Sequence, residues 1–273
     1  MKTKLYLGLI LTIAFLYACQ PADTNQNTET AENTNNQHLL MATAWYQQSA
    51  EMAACYYQAF YQAEVALKNK LENDESDNPN AIVLDIDETL LDNSPFQAKM
   101  VETGKPYSSD FWKTWTDLSQ AEALPGAIEF LEKVKSKGVE IFYISNRKSN
   151  ELDSSIENMT ELGFPELRRE HFLFKEETSD KDARRAIVKA DYDILLYVGD
   201  NLNDYSNFLG DRQNDFGKNT LAENKEILGR DFIILPNPMY GNWEQALKAK
   251  YGGETHVEFL DKLKESLVSF DAE

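Results

Sequence analysis

Two short apolar runs in this chain each end in a cluster of carboxylates. Ala81 to Leu84 leads into Asp85-Ile86-Asp87-Glu88-Thr89, and Ile194 to Gly199 leads into Asp200-Asn201-Leu202-Asn203-Asp204. Aspartates gathered at the ends of buried strands repel one another unless a cation neutralises them. A donor set made of oxygens suits Mg²⁺ better than Zn²⁺. Asp85, Asp87, Asp200 and Asp204 are therefore the candidate metal residues. Asp85 and Asp87 share a face only while the strand stays straight. Once the strand breaks into a loop, one carboxylate can address an ion and the other a substrate. An EF-hand calcium loop is excluded, because Leu90 stands where its sharp turn needs glycine.

Phosphoryl transfer is the chemistry that such a site suits. A phosphomonoester carries two negative charges, and its transition state needs positioned cations and an in-line nucleophile. Asp85 is the candidate nucleophile, forming an aspartyl-phosphate that splits one hard step into two. Asp87 is the candidate general acid toward the departing alkoxide and then the base toward water. Like-charge neighbours are the expected means of tuning its proton affinity. Ser145 is a candidate donor to a phosphoryl oxygen, the alternative being a cap on the helix that follows. Asp204 lies four residues beyond Asp200 and shares a face with it if a helix starts there. Its alternative role is a charge that stabilises the helix dipole.

The elements that must position these residues alternate along the chain. His38 to Glu72 has no Pro or Gly and reads as one or two helices, and 73–80 is a polar break. Strands are expected over 81–84, Val139 to Ile144, Phe172 to Phe174, 194–199 and Phe232 to Leu235. Helices are expected over Ala127 to Lys137, Glu151 to Leu162 and Asp182 to Ala190. That alternation predicts an α/β fold, a Rossmann-like domain with a mostly parallel sheet flanked by helices. Ligands in such sheets bind beyond the carboxyl ends of the strands, where Asp85, Ser145 and Asp200 all fall. The aromatic-rich insertion 92–124 is the expected source of a small, mainly helical cap.

The chain has 273 residues, enough for one large domain with a sizeable core. Its formal net charge of −19 argues against non-specific binding to a nucleic-acid polymer or an anionic membrane surface. The N-terminus is set apart: a basic start, then an apolar stretch from Leu5 to Tyr17 that is short for a transmembrane helix. It ends in Leu16-Tyr17-Ala18-Cys19, which resembles a bacterial lipobox, an ordinary secretory peptide being the alternative. Residues 1–18 are thus expected to be a lipoprotein signal peptide. Residues 19–37 are expected to carry the lipidated Cys19 and a flexible polar tether, with the catalytic domain over 38–273. With Cys19 lipidated only Cys55 remains, so no internal disulfide forms. Cys55 sits in an apolar helical context and is expected to be a buried, inert thiol. His38, His171 and His256 lack metal spacing and are assigned no chemistry.

The motifs Asp85 to Thr89, Ser145-Asn146-Arg147, Lys181 and Gly199 to Asp204 resemble the four motifs of the haloacid dehalogenase (HAD) superfamily of phosphatases. The longer stretches DIDETLLDNSP (85–95), FYISNR (142–147) and GDNLNDY (199–205) are similar to the bacterial class C acid phosphatases, a group that contains outer-membrane lipoprotein 5′-nucleotidases. The resemblance implies an Mg²⁺-dependent acid phosphatase and 5′-nucleotidase, with nucleoside 5′-monophosphates, nicotinamide mononucleotide among them, and other phosphomonoesters as substrates. It implies that the backbone carbonyl of Asp87 ligates the metal and that Lys181 neutralises phosphate, Lys175 being the competing lysine. It implies substrate contacts from Asn146 and Arg147, and stacking on a base or aromatic leaving group by Trp112 and Tyr240. Arg147, Arg184 and Arg185 are candidates for drawing in an anion, with solvated surface charge as the plainer reading. It also implies an outer-membrane lipoprotein on the periplasmic or cell-surface side. The oligomeric state stays open, a homodimer among the candidates. Two rival functions remain: a phosphatase for aryl or sugar phosphates, and a non-catalytic surface-binding lipoprotein.

Overall fold

A computed structural model describes residues 36–270. The signal peptide, Cys19 and most of the tether lie outside the described residues. Among the described residues the strands are β1 (Asn80–Leu84), β2 (Leu91–Asp92), β3 (Glu122–Ala123), β4 (Glu140–Lys148), β5 (Phe172–Lys175), β6 (Asp193–Gly199) and β7 (Phe232–Ile234). The helices that matter here are α1 (Leu40–Gln48), α2 (Ala50–Glu72), α3 (Ser94–Thr103), α4 (Ser109–Thr116), α5 (Ala127–Ser136), α6 (Leu152–Glu161), α7 (Asp182–Asp191), α8 (Asn242–Tyr251) and α9 (His256–Glu265).

The main sheet has the order β5-β4-β1-β6-β7 with every pairing parallel. β1 lies in the middle and is buried on both faces, which explains its unbroken apolar run. Ile82 and Leu84 pack with Tyr56, Phe60 and Phe130 from α2 and α5. Ala81 and Val83 point to the other face, where Val188 of α7 covers them. The period of two thus divides one strand between two helical layers, and the α/β class expected from the sequence is observed.

Ser49 separates α1 from α2: its backbone is extended and its Oγ accepts from the Met52 N–H at 3.1 Å. That N-cap is why the helical region is two helices rather than one. α2 buries Met52, Tyr56, Phe60, Ala63 and Leu67. Cys55 falls off that stripe and is exposed, contrary to the buried thiol expected from its neighbours.

The 92–124 segment leaves and returns through an antiparallel ribbon, with Leu91 opposite Ala123 and Asp92 opposite Glu122. Between these ends, Phe96 packs its edge against Trp112, with ring centroids 5.1 Å apart. β4 runs on to Lys148, beyond the expected end at Ile144, after a shift in its register with β5 between Ser145 and Lys148. No helix among the described residues is long and apolar enough to cross a membrane.

Candidate active site

Asp85 is the first residue past β1, and its N–H still donates to Val198 O of β6 at 3.0 Å. The chain then folds back sharply: Leu90 and Leu91 donate to Ile86 O at 2.8 and 3.0 Å, and Glu88 donates to Leu91 O at 3.0 Å. Glu88 has a φ of +53°, a left-handed value that a glutamate adopts only when its surroundings impose it. The bend sends Asp85 and Asp87 to different partners.

Asp85 Oδ1 accepts a hydrogen bond from Lys181 Nζ at 2.6 Å, and the same ammonium donates to Asp204 Oδ1 at 2.7 Å. Lys181 stands at the N-terminal end of α7, buried to 4% exposure. Asp85, Asp200 and Asp204 each offer an oxygen within 4.8 Å of the others. Asp204 lies in a short 3-10 turn rather than a longer helix. Its second oxygen accepts from the Asn201 N–H at 2.9 Å, so one carboxylate both caps a turn and faces the cluster. Gly199 makes this possible, because a Cβ there would collide with the Asp204 side chain. Asp200 Oδ2 accepts from Asn237 Nδ2 at 2.8 Å.

Burial pushes the Asp85 carboxyl up to about 7 against the opposing pull of Lys181, with Asp204 and Asp87 pushing the same way as burial. Burial, then Asp204 and Asp85, hold Asp200 well above the usual carboxylate range. For Lys181, burial disfavours the charge, but Asp204 and Asp85 outweigh it and raise its proton affinity. Asp85 and Asp204 therefore share one ammonium while Asp200 is met by the neutral Asn237 amide, and the site is short of positive charge. Oxygen donors this close together fit a hard divalent cation such as Mg²⁺.

Asp87 faces the other way. Its Oδ1 accepts from Arg147 Nε and Nη2 at 2.9 and 2.8 Å, and its Oδ2 from Ser145 Oγ at 3.3 Å. A cation thus adjoins Asp87, where only like-charge neighbours were expected. Arg147 is 2% exposed and does not project freely into the cavity. Ser145 is wholly buried, and its Oγ also accepts from the Arg147 N–H at 3.1 Å.

Arg184 and Arg185 are buried as well, not solvated. Arg184 donates to Ser145 O at 2.5 Å and Asn146 Oδ1 at 2.7 Å, and reaches Asp180 O at 3.0 Å. It ties the end of β4 to the loop before Lys181. Arg185 donates to Asn203 O at 2.9 Å and Asp204 O at 3.2 Å, which holds the second acidic turn. Their cost of burial is offset by carbonyls and side chains that need positioning.

A cavity of about 920 Å³ opens above the cluster, and Asp85, Asp87, Lys181, Asp200, Trp112 and Tyr240 all border it. Asn146 and Lys175 line it too, but Lys181 is the lysine that contacts Asp85. The Tyr240 hydroxyl donates to Glu88 Oε2, and Glu88 Oε1 accepts from the Asn93 N–H at 2.8 Å. The Arg147 guanidinium lies 5.9 Å from the Trp112 ring centroid. His38 and His256 meet at the cavity margin with ring nitrogens 3.1 Å apart.

Sequence reasoning overlooked Glu88, Asn93 and Asn237. Asn237 follows β7 at its carboxyl end, so the strand-end rule that singled out Asp85 and Asp200 could have found it. Asn93 lay within the DNSP stretch but carried no chemical signal alone.

A family model described as HAD superfamily, subfamily IIIB (acid phosphatase) matches residues 11–243. The class C acid phosphatase of Bacillus anthracis superimposes with a TM-score of 0.81 at 43% identity, covering 88% of this chain and 100% of that one. Its tungstate-bound form gives 0.80 at 42% identity, with the same coverage. Acid phosphatase 1 of Solanum lycopersicum is 26% identical over 170 residues, 60% of each chain. The stem 31 kDa glycoprotein of Glycine max is 26% identical over 164 residues, 58% of each chain. The chain thus spans about three-fifths of the length of these curated relatives.

Proposed function

The chain belongs to the subfamily IIIB acid phosphatases of the HAD superfamily, and from that membership we propose that it hydrolyses phosphomonoesters through an aspartyl-phosphate on Asp85. The observation that carries this reading is the convergence of Asp85, Asp200, Asp204 and Lys181 at the base of one cavity.

Asp85, Asp200 and Asp204 would supply the oxygens for Mg²⁺, with the Asp87 carbonyl joining them by family resemblance. When bound, the ion would offset the crowded carboxylates and the charge of the phosphoryl group. Lys181 Nζ binds a phosphoryl oxygen, and Ser145 Oγ binds another once its single proton turns from Asp87 Oδ2. Asp85 attacks phosphorus, and the bond to the leaving oxygen breaks as Asp87 gives that oxygen its proton. Asp87 then takes a proton from water, which attacks phosphorus, releases inorganic phosphate and restores the Asp85 carboxylate.

Nucleoside 5′-monophosphates are the favoured substrates in this reading. Trp112 and Tyr240 support it, because both rings border the cavity and such faces accept a base without regard to its sequence edge. We also propose that Cys19 carries lipid and holds the enzyme outside the cytoplasm; a Cys19→Ser variant that still incorporates labelled fatty acid would contradict this.

The experiment is a phosphate-release panel of nucleotides, aryl phosphates and sugar phosphates, with chelator and with added Mg²⁺. Mg²⁺-dependent release led by nucleotides supports the proposal. Release that persists in chelator removes the metal, and a flat substrate profile removes the nucleotide preference.

A further inference from the structure

The two oxygens of Asp87 are unequally occupied. Oδ1 accepts three N–H donors: Arg147 Nε at 2.9 Å, Arg147 Nη2 at 2.8 Å and Asn93 Nδ2 at 2.8 Å. Among the described residues Oδ2 meets only the Ser145 hydroxyl, at 3.3 Å. A carboxylate oxygen already facing three N–H groups has no room for a proton of its own. Oδ2 is therefore the oxygen with room to carry a proton to a leaving group.

The donors themselves are fixed. Arg147 Nη1 donates to Ser155 Oγ at 2.9 Å, and Ser155 Oγ donates to Glu151 O at 2.6 Å, which anchors the guanidinium to the start of α6. Asn93 Oδ1 accepts from Trp115 Nε1 at 2.8 Å and from Arg147 Nη2 at 3.3 Å. Two donors on that oxygen determine which way the amide points, so Nδ2 must face Asp87. Asn93 and Trp115 both belong to the 92–124 segment, which places them one and two hydrogen bonds from Asp87.

We infer that Arg147, with Asn93, is a positioning residue that reserves Oδ2 of Asp87 for proton delivery to the leaving oxygen. This departs from the substrate contact that the sequence suggested for Arg147. It rests on the proposed role of Asp87, and the test separates the two. In the first half-reaction Asp85 forms the bond to phosphorus, the phosphorus–oxygen bond to the leaving group breaks, and the Oδ2 proton passes to that oxygen. A strongly basic alkoxide needs the proton; a nitrophenolate leaves without it. Loss of Arg147 should therefore act selectively on substrates with basic leaving groups.

The experiment measures kcat/KM, which reports the first half-reaction, for an alkyl phosphate and for p-nitrophenyl phosphate in wild type, Asp87→Asn, Arg147→Met, Arg147→Lys and Asn93→Leu. Asp87→Asn should lower the alkyl value on the order of 10²-fold or more and the nitrophenyl value far less. The Arg147 variants should show the same selective loss at smaller size, with Arg147→Lys closer to wild type and the Ki for inorganic phosphate unchanged in each. Equal losses on both substrates in Arg147→Lys and Asn93→Leu, or a raised phosphate Ki, overturn the inference in favour of substrate binding or a purely structural role. If Asp87→Asn itself shows no selectivity, the acid assignment falls and the inference with it. Should Arg147→Met fail to fold, Arg147→Lys and Asn93→Leu decide the question.

Discussion

Lys181 Nζ lies 2.6 Å from Asp85 Oδ1, across 96 positions of sequence. The contact joins the end of β1 to the start of α7, and Asp204, on the turn after β6, shares the same ammonium. One ammonium among three carboxylates, Asp204 buried and Asp85 and Asp200 partly so, leaves a deficit that a divalent ion can fill.

Removing one of those carboxylates should separate stability from activity. Asp200→Asn replaces a carboxyl whose ionisation burial and its acidic neighbours oppose, so thermal unfolding in chelator should shift up by a few degrees. The Mg²⁺ concentration for half-maximal activity should rise by more than about tenfold, and Asn237→Leu should raise it by about 10- to 100-fold by freeing the Asp200 carboxylate. Unchanged Mg²⁺ dependence in Asp200→Asn would remove that residue from the site.

Stability of the metal-free protein should fall as pH rises. Burial raises Asp85 from its ordinary 3.8 to about 7, so between those values the folded state holds a proton that the unfolded chain has released. Asp200 is shifted in the same direction by burial and its acidic neighbours. The contribution is complete below about pH 4 and lost on rising through about 7. Melting curves in chelator should show this decline superposed on the remaining titrations, and added Mg²⁺ should raise Tm more at pH 7.5 than at pH 4.5. A Mg²⁺ effect that is larger in acid would contradict the account.

Two lysines make a direct contrast. Lys181→Met strips the ammonium from two buried carboxylates and should cost about 3–5 kcal/mol in urea unfolding without metal. Lys175→Met alters a half-buried side chain away from Asp85 and should stay within about 0.5 kcal/mol. Phosphate release should collapse in the first variant and change little in the second. The reverse pattern would transfer the phosphate role to Lys175.

Base stacking predicts a substrate-dependent loss. Each stacked base contributes on the order of 1–3 kcal/mol, so Trp112→Ala or Tyr240→Ala should lower kcat/KM for a nucleoside monophosphate about 5- to 150-fold. A phosphate ester without a ring should be nearly unaffected. Tyr240→Phe keeps the ring but loses its link to Glu88, and should fall between wild type and Tyr240→Ala.

The sheet was legible because β1 and β6 are continuous apolar runs ending in acid, a pattern that parallel strands covered on both faces require. The acidic cluster was legible for the same reason: strand ends converge even when the sequence keeps them far apart. What the sequence concealed was the use of charge in the interior. Arg147, Arg184 and Arg185 have no local pattern that marks them as buried, because their partners are backbone carbonyls and carboxylates on other elements. Cys55 was misplaced for a related reason. Its neighbours are apolar, but burial on α2 follows the helical stripe through Met52 and Tyr56 rather than adjacency.

The most direct measurement is a crystal structure of the protein grown with magnesium chloride and beryllofluoride, which mimics a carboxyl-bound phosphoryl group. The account predicts beryllium bonded to an Asp85 oxygen, one Mg²⁺ held by Asp85 and Asp200, and Lys181 in contact with a fluorine. Beryllofluoride attached to another carboxylate, or an ion bound away from Asp85, would contradict it.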